Sequence, residues 1–144
     1  MPFAQLPDVR LRYELDGDPR LPILMLCNSL GATVDMWAPQ MPAFLAHFRV
    51  LRYDTRGHGQ SEVTPGDYSI AQLGSDALGL LDYLGIERMS FCGLSMGGMT
   101  GMWLGANHPL RIWRLVLANT GAKVGDPSIW AARFDAVRKG GMAA

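Results

Sequence analysis

The apolar run Ile23-Leu24-Met25-Leu26-Cys27 constrains this chain more than any other stretch. A strand with one wet face alternates apolar and polar side chains. An unbroken apolar strand is covered on both faces, as in the middle of a parallel sheet. Turn chemistry precedes the run at Asp16-Gly17-Asp18-Pro19. A polar, glycine-bearing loop, Asn28-Ser29-Leu30-Gly31, follows it. Upstream, Val9-Arg10-Leu11-Arg12-Tyr13-Glu14-Leu15 does alternate, so it belongs at a half-solvated edge, in a hairpin with residues 3–6.

The rest of the chain repeats a strand–helix rhythm. A short helix is expected around residues 39–47 and a strand over 49–54, ending in the turn-rich loop Thr55-Arg56-Gly57-His58-Gly59-Gln60-Ser61. Ser69-Ile70-Ala71-Gln72 has the form of a capping box, with Ser at the N-cap and Gln three residues on. Ile70, Leu73, Ala77, Leu80, Leu81 and Leu84 then recur at helical spacing, and Gly85 stands where a helix C-cap is expected. A strand over 89–94, a helix from 96 to 107 stopped by His108-Pro109, a strand over 112–119 and a helix over 128–139 complete the pattern. Strands separated by helices predict an α/β layered fold with a mostly parallel sheet.

Gly93-Leu94-Ser95-Met96-Gly97-Gly98 sits at a strand-to-helix junction. Glycines around a serine in that setting match a nucleophile elbow, a turn so tight that its neighbours need very small side chains. The five-residue pattern alone is weak, and a glycine-rich turn with a structural serine is the alternative. The strand before it and the helix after it favour Ser95 as a nucleophile. Met96 N–H would then donate to a developing oxyanion, and Leu30 N–H, from the loop after the third strand, is the candidate second donor.

A base is harder to find. The chain has three histidines. His108 lies one helix away from Ser95, roughly 20 Å at about 1.5 Å per residue. His58 is expected to hydrogen-bond within its own loop, and His47 ends a surface helix. After Ser95 the only acids are Asp126 and Asp135, and neither follows a predicted strand.

Composition narrows the function classes. Thirteen basic and thirteen acidic residues balance, so no basic patch invites nucleic acid or an anionic membrane. No apolar run reaches membrane-spanning length, and the N-terminus carries no signal-peptide pattern. Cys27 and Cys92 both lie in apolar runs and read as buried reduced thiols of a cytoplasmic protein. No metal is implied, since no CxxC or Cys/His cluster occurs. Nucleotide binding is disfavoured: Gly57-His58-Gly59 lacks a third glycine, Glu62 standing in its place, and no Gly-Lys-Ser/Thr follows Gly93.

Taken in order, Asn28-Ser29-Leu30-Gly31, Tyr53-Asp54-Thr55-Arg56-Gly57-His58-Gly59-Gln60-Ser61, Gly93-Leu94-Ser95-Met96-Gly97-Gly98 and Leu115-Val116-Leu117-Ala118-Asn119-Thr120 resemble the successive signatures of the α/β-hydrolase superfamily. Within it the chain is most similar to 3-oxoadipate enol-lactonases of the β-ketoadipate pathway. The Asn-Ser-Leu-Gly loop and the pattern Trp130…Arg133-Phe134…Val137-Arg138…Gly141-Met142 carry that narrower resemblance. Related esterases and cofactor-free haloperoxidases or perhydrolases share most of these motifs. The resemblance implies an α/β-hydrolase fold truncated after about the sixth strand, with residues 1–125 as the N-terminal part of the core and 126–144 as the start of a helical cap.

The implied reaction is hydrolysis of an enol-lactone to 3-oxoadipate by Ser95, with no cofactor. Trp130 and Arg133 are candidate substrate contacts, Arg133 for a substrate carboxylate; a packing tryptophan and a solvated arginine are the alternatives. Family members carry the triad acid and histidine further along the chain, so a complementary C-terminal chain, self-association through an exposed sixth strand, or a catalytically silent fragment are the expectations for these residues alone. Small-molecule lactones or esters are the expected substrates.

Overall fold

The computed structural model describes residues 2–123 and 125–141. Six strands, β1 (Phe3–Gln5), β2 (Arg10–Asp16), β3 (Ile23–Cys27), β4 (Arg49–Tyr53), β5 (Met89–Leu94) and β6 (Ile112–Ala118), form one sheet in the order β1-β2-β4-β3-β5-β6. The apolar run is β3, and it lies between β4 and β5, parallel to both. The alternating segment is β2, which runs antiparallel to β1 and β4 at one side of the sheet. The layered, mostly parallel architecture expected from the sequence is present.

Helices α1 (Met41–Leu45), α2 (Ile70–Tyr83), α3 (Met96–Asn107) and α4 (Pro127–Gly140) follow the strands. The main core lies between the sheet and α2 and α3, where Leu11, Met25, Leu51 and Phe91 meet Ala77, Leu80, Leu81 and Leu104. A smaller core on the other face packs Leu24, Leu26 and Val50 against Trp37 and Met41. Burying one large aliphatic side chain contributes about 1.5–3 kcal/mol, so β3, which feeds both cores, anchors the sheet.

Local signals account for the element ends. Ser69 Oγ accepts the N–H of Gln72 at 3.1 Å, as the capping box predicts. At the other end of α2, Gly85 N–H bonds Asp82 O, Ile86 N–H bonds Leu81 O, and Gly85 takes φ +66° just beyond the C-cap Leu84. Asp126 caps α4 by accepting the N–H of Ser128 at 2.8 Å.

Two expectations need correction. The short helix expected over 39–47 is present as α1, Met41–Leu45, but a 3-10 helix that the sequence pattern does not predict, Val34–Gln40, runs into it. Thr33 starts the 3-10 helix by accepting the N–H of Asp35. Pro39, which has no N–H to donate, falls within the 3-10 turn, while Pro42 stands in the first turn of α1, where no donor is needed. Cys27 is buried but Cys92 is only half-buried, although both are free thiols. Cys92 sits opposite Val116 of β6, and Val116 is 55% exposed, so the sheet is thinly covered there.

No helix among the described residues is long and apolar enough to cross a membrane. Met142 to Ala144, the end of the segment 126–144, lie outside the described residues.

Candidate active site

The turn from β5 to α3 has the geometry that the sequence suggested. Ser95 has φ 53° and ψ −112°, a backbone conformation that L-residues seldom adopt and that costs on the order of 1–3 kcal/mol. Three contacts hold it there. Ser95 N–H donates to Ala118 O at 2.9 Å, which ties the turn to the end of β6. Met99 N–H donates to Ser95 O at 3.0 Å, the first turn of α3. Thr120 Oγ1 donates to the same carbonyl at 2.8 Å.

The surrounding glycines have steric reasons. A Cβ on Gly93 would stand 2.2 Å from Gly97 O, and one on Gly97 would stand 2.2 Å from Cys27 O. One on Gly98 would meet the Thr120 side chain at 2.5 Å. Gly101 continues this packing against Phe91 and Leu117, and Gly105 against Leu115. The first turn of α3 therefore lies directly on the end of β3, and Ser95 is raised at the carboxyl ends of the parallel strands. Sites in open α/β sheets form at that end. Ser95 Oγ does not cap the helix that it opens.

A cleft of about 270 Å³ is lined by Leu30, Ser95, Met96, Met99 and Trp130. It brings together four of the five residues singled out from the sequence. Leu30 is 54% exposed at the tip of its loop. That loop is a tight turn, with Ala32 N–H on Ser29 O at 3.2 Å and Gly31 at φ +74°, a value that favours glycine at this place in a turn. Trp130 reaches the cleft from α4. Arg133 does not line it; its guanidinium lies over the Trp130 ring, 5.2 Å from the centroid, and its side chain is exposed. Met99 was not singled out. Its position one turn along α3 from Ser95 is the signal that could have found it.

The three histidines are elsewhere. His58 Nδ1 is 3.1 Å from Arg56 O, within its own loop as expected. His108 caps the far end of α3 and packs against Trp103, with ring centroids 5.3 Å apart. His47 is exposed after α1. No described histidine, aspartate or glutamate lines the cleft, and no group of three such residues or cysteines that could hold a metal ion occurs among the described residues.

Buried polar side chains hold the segments that flank the Leu30 loop. Asn28 donates from Nδ2 to Tyr53 O at 3.0 Å and accepts the indole N–H of Trp37 at 2.8 Å. Asp54 accepts the N–H groups of Val34 at 2.9 Å and Gln60 at 3.0 Å. Gly59 must lack a Cβ, which would stand 2.2 Å from Asp54 Oδ2. Cys27 Sγ is 3.1 Å from the Tyr53 hydroxyl, and burial pushes the thiol up to about 11. That thiol is no nucleophile near neutral pH.

Residues 22–140 match the family model for the alpha/beta hydrolase fold. The chain is 45% identical over 135 residues to 3-oxoadipate enol-lactonase 2 of Acinetobacter baylyi, a match covering 94% of this chain and 51% of that protein. The crystal structure of the enol-lactonase from Burkholderia xenovorans LB400 superposes with a TM-score of 0.96 at 51% identity, over 99% of this chain and 55% of that one. A hydrolase from Pseudomonas aeruginosa PA01 gives a TM-score of 0.92 at 51% identity, covering 96% and 52%. The chain spans about half the length of the curated relatives it matches. A serine on a strained strand-to-helix turn, glycines that leave no room for a Cβ, and a family match over most of the sequence agree: this chain belongs to the α/β-hydrolase fold family.

Proposed function

We propose that the chain carries the nucleophile and oxyanion-binding half of a serine hydrolase of the enol-lactonase type. The observation that carries this reading is the strained Ser95 turn opening into the cleft shared with Leu30, Met96 and Trp130. Ser95 Oγ attacks the lactone carbonyl, forming a C–O bond and a tetrahedral oxyanion. The Leu30 and Met96 N–H groups bind that oxygen. The ring C–O bond then breaks, and the enol oxygen takes up the serine's proton through a base. Water attacks the resulting acyl-enzyme and releases 3-oxoadipate, the enol having become a ketone, with Ser95 regenerated.

The base and the acid that orients it are to come from outside the residues of this sequence, on a complementary segment that adds strands beyond β6. Residues 1–125 are the core part of the proposed enzyme, and 126–144, which contain α4, begin its cap. Arg133, which lies over the ring of the cleft residue Trp130, is the proposed partner of the substrate's free carboxylate. The proposed location is the cytoplasm, and the free thiols Cys27 and Cys92 support it. No organic cofactor enters this chemistry.

One observation favours a second reading, a carboxylesterase or perhydrolase for uncharged esters. Apart from Ser95, the cleft lining is apolar, and Arg133 is not part of it.

A fluorophosphonate probe tests the proposal, applied to the chain alone and together with the C-terminal half of the Acinetobacter relative. Labelling mapped to Ser95, strengthened by the added half and abolished by Ser95→Ala, is the expected result. Absence of Ser95 labelling in both states refutes it. In the completed form, faster turnover of enol-lactone than of aryl esters supports the lactonase, and the reverse order supports the second reading.

A further inference from the structure

The loop that presents Leu30 has its ends fastened by side chains that no part of the proposed reaction consumes. Asn28, at its start, is fully buried. Its carboxamide spans two elements: Nδ2 donates to Tyr53 O at the end of β4, and Oδ1 accepts from Trp37 Nε1 in the 3-10 helix beyond the loop. Its backbone is confined as well, since a Cβ on Gly97 would come within 2.9 Å of Asn28 O. The loop start and the first turn of α3 thus meet backbone to backbone. At the far end, Val34 N–H is held by the buried carboxylate of Asp54. Between these anchors lie only the Ser29–Ala32 turn and Thr33, the N-cap of the 3-10 helix.

We infer that Asn28 is a positioning residue, whose carboxamide locks the Leu30-bearing turn to β4 and Trp37 and so sets the Leu30 amide against the Ser95 turn. The inference rests on the proposed role of the Leu30 N–H. A buried amide with both ends bonded rigidifies its surroundings, and a preorganised donor is worth most where charge develops in the transition state. Leucine's own side chain, half in solvent, cannot supply that rigidity.

The test uses phenylboronic acid, which binds a serine oxygen with release of the hydroxyl proton to a base or to buffer, giving an anionic tetrahedral adduct with one boron-bound oxygen where the oxyanion would lie. Adduct formation is followed by boron NMR on the full chain, alone and completed with the C-terminal half of the Acinetobacter relative, beside Asn28→Ala, Trp37→Phe and Ser95→Ala. Asn28→Ala is expected to weaken the adduct at least about tenfold, less than the roughly hundredfold or more that outright loss of one oxyanion donor costs in rate, since the donor is loosened and not removed. Trp37→Phe, which keeps an aromatic side chain but removes the indole N–H that Asn28 accepts, is expected to weaken it less. Affinity for a planar, non-covalent aryl ketone should stay within about twofold in both, because ground-state binding does not use the donor. Amide exchange should quicken over residues 29–32 while the β3 and β5 amides stay protected; this readout and Trp37→Phe decide the matter if Asn28→Ala folds poorly. An adduct on Ser95 that neither variant weakens, with unchanged exchange over 29–32, overturns the inference and leaves the hydrolase reading standing. A wild-type chain that forms no adduct either alone or completed with the C-terminal half, or a Ser95→Ala chain that still binds, removes the hydrolase reading and this inference with it.

Discussion

The two edges of the sheet are built differently. The β1–β2 edge is finished. Its outer strand is only three residues long, Ala4 and Leu11 are fully buried, and Arg10 lies over the Phe3 ring at 4.8 Å. The turn between these strands is tied down by Arg56, itself 2% exposed, which bonds Asp8 at 3.0 Å and grips Asp76 of α2 through two bonds of 2.8 and 2.6 Å. The β6 edge is open. It is seven residues long, pairs only with β5 among the described residues, and exposes Trp113, Val116 and Leu117 at 63%, 55% and 38%. Short edge strands and charged side chains suppress unwanted pairing, whereas long apolar ones invite it. The lesson is that this sheet finishes one side with a short strand and buried charge pairs and carries a long, exposed apolar strand on the other. Ser95, bonded to Ala118 at the end of β6, lies next to the open side.

The largest expected effect is on the finished edge. Arg56→Met leaves Asp76 buried without its cation and should cost about 3–5 kcal/mol of unfolding free energy. A urea midpoint measures it, and a loss below about 1 kcal/mol, the scale of a surface pair, would mean that this edge is held by something else.

A pair of truncations compares the edges directly. Leu11→Ala should cost about 2–5 kcal/mol, as buried aliphatic truncations do, while Val116→Ala should stay within about 0.5 kcal/mol, as exposed positions do. Equal losses at both positions would show that β6 is covered in solution by a second copy, and sedimentation at several concentrations would then show association.

The smallest effect separates the two faces beneath the site. Burial raises Cys27 to about 11 from an ordinary value near 9, and it also lifts the buried Tyr53 phenol well above its usual range. A folded-state value above the unfolded one means that the folded chain holds the proton more tightly. The stability from Cys27 is therefore complete below pH 9 and is lost as pH rises from 9 through 11, by an amount on the order of 2 kcal/mol. Half-buried Cys92 is also raised by burial. Cys27→Ala should flatten the alkaline decline of the urea midpoint more than Cys92→Ala does, and the opposite order would refute this reading of the two thiols.

Much of this was legible in the residues. The uninterrupted run 23–27 fixed the central strand, the alternation over 9–15 fixed the edge hairpin, and Ser69 with Gln72 marked the start of α2, because each signal is local and periodic. The Ser95 turn was legible because the spacing of its glycines reflects a steric demand within a few residues. The 3-10 helix at 34–40 was missed: prolines blur helical periodicity, and the caps that decide it depend on one residue's side chain. Met99's place in the cleft was hinted at only by its position one turn from Ser95, and Arg133's place outside the cleft and the two hydrogen bonds of the Asn28 carboxamide were not readable at all.

By itself, then, the sequence determined which segments are strands and helices and where one strained serine must stand, since those outcomes follow from side-chain period and from atoms close along the chain. Tertiary structure alone decided what Asn28 grips, which residues share a cleft with Ser95 and which edge of the sheet is open. Each of these depends on atoms far apart in sequence, brought together only when the strands take the order β1-β2-β4-β3-β5-β6.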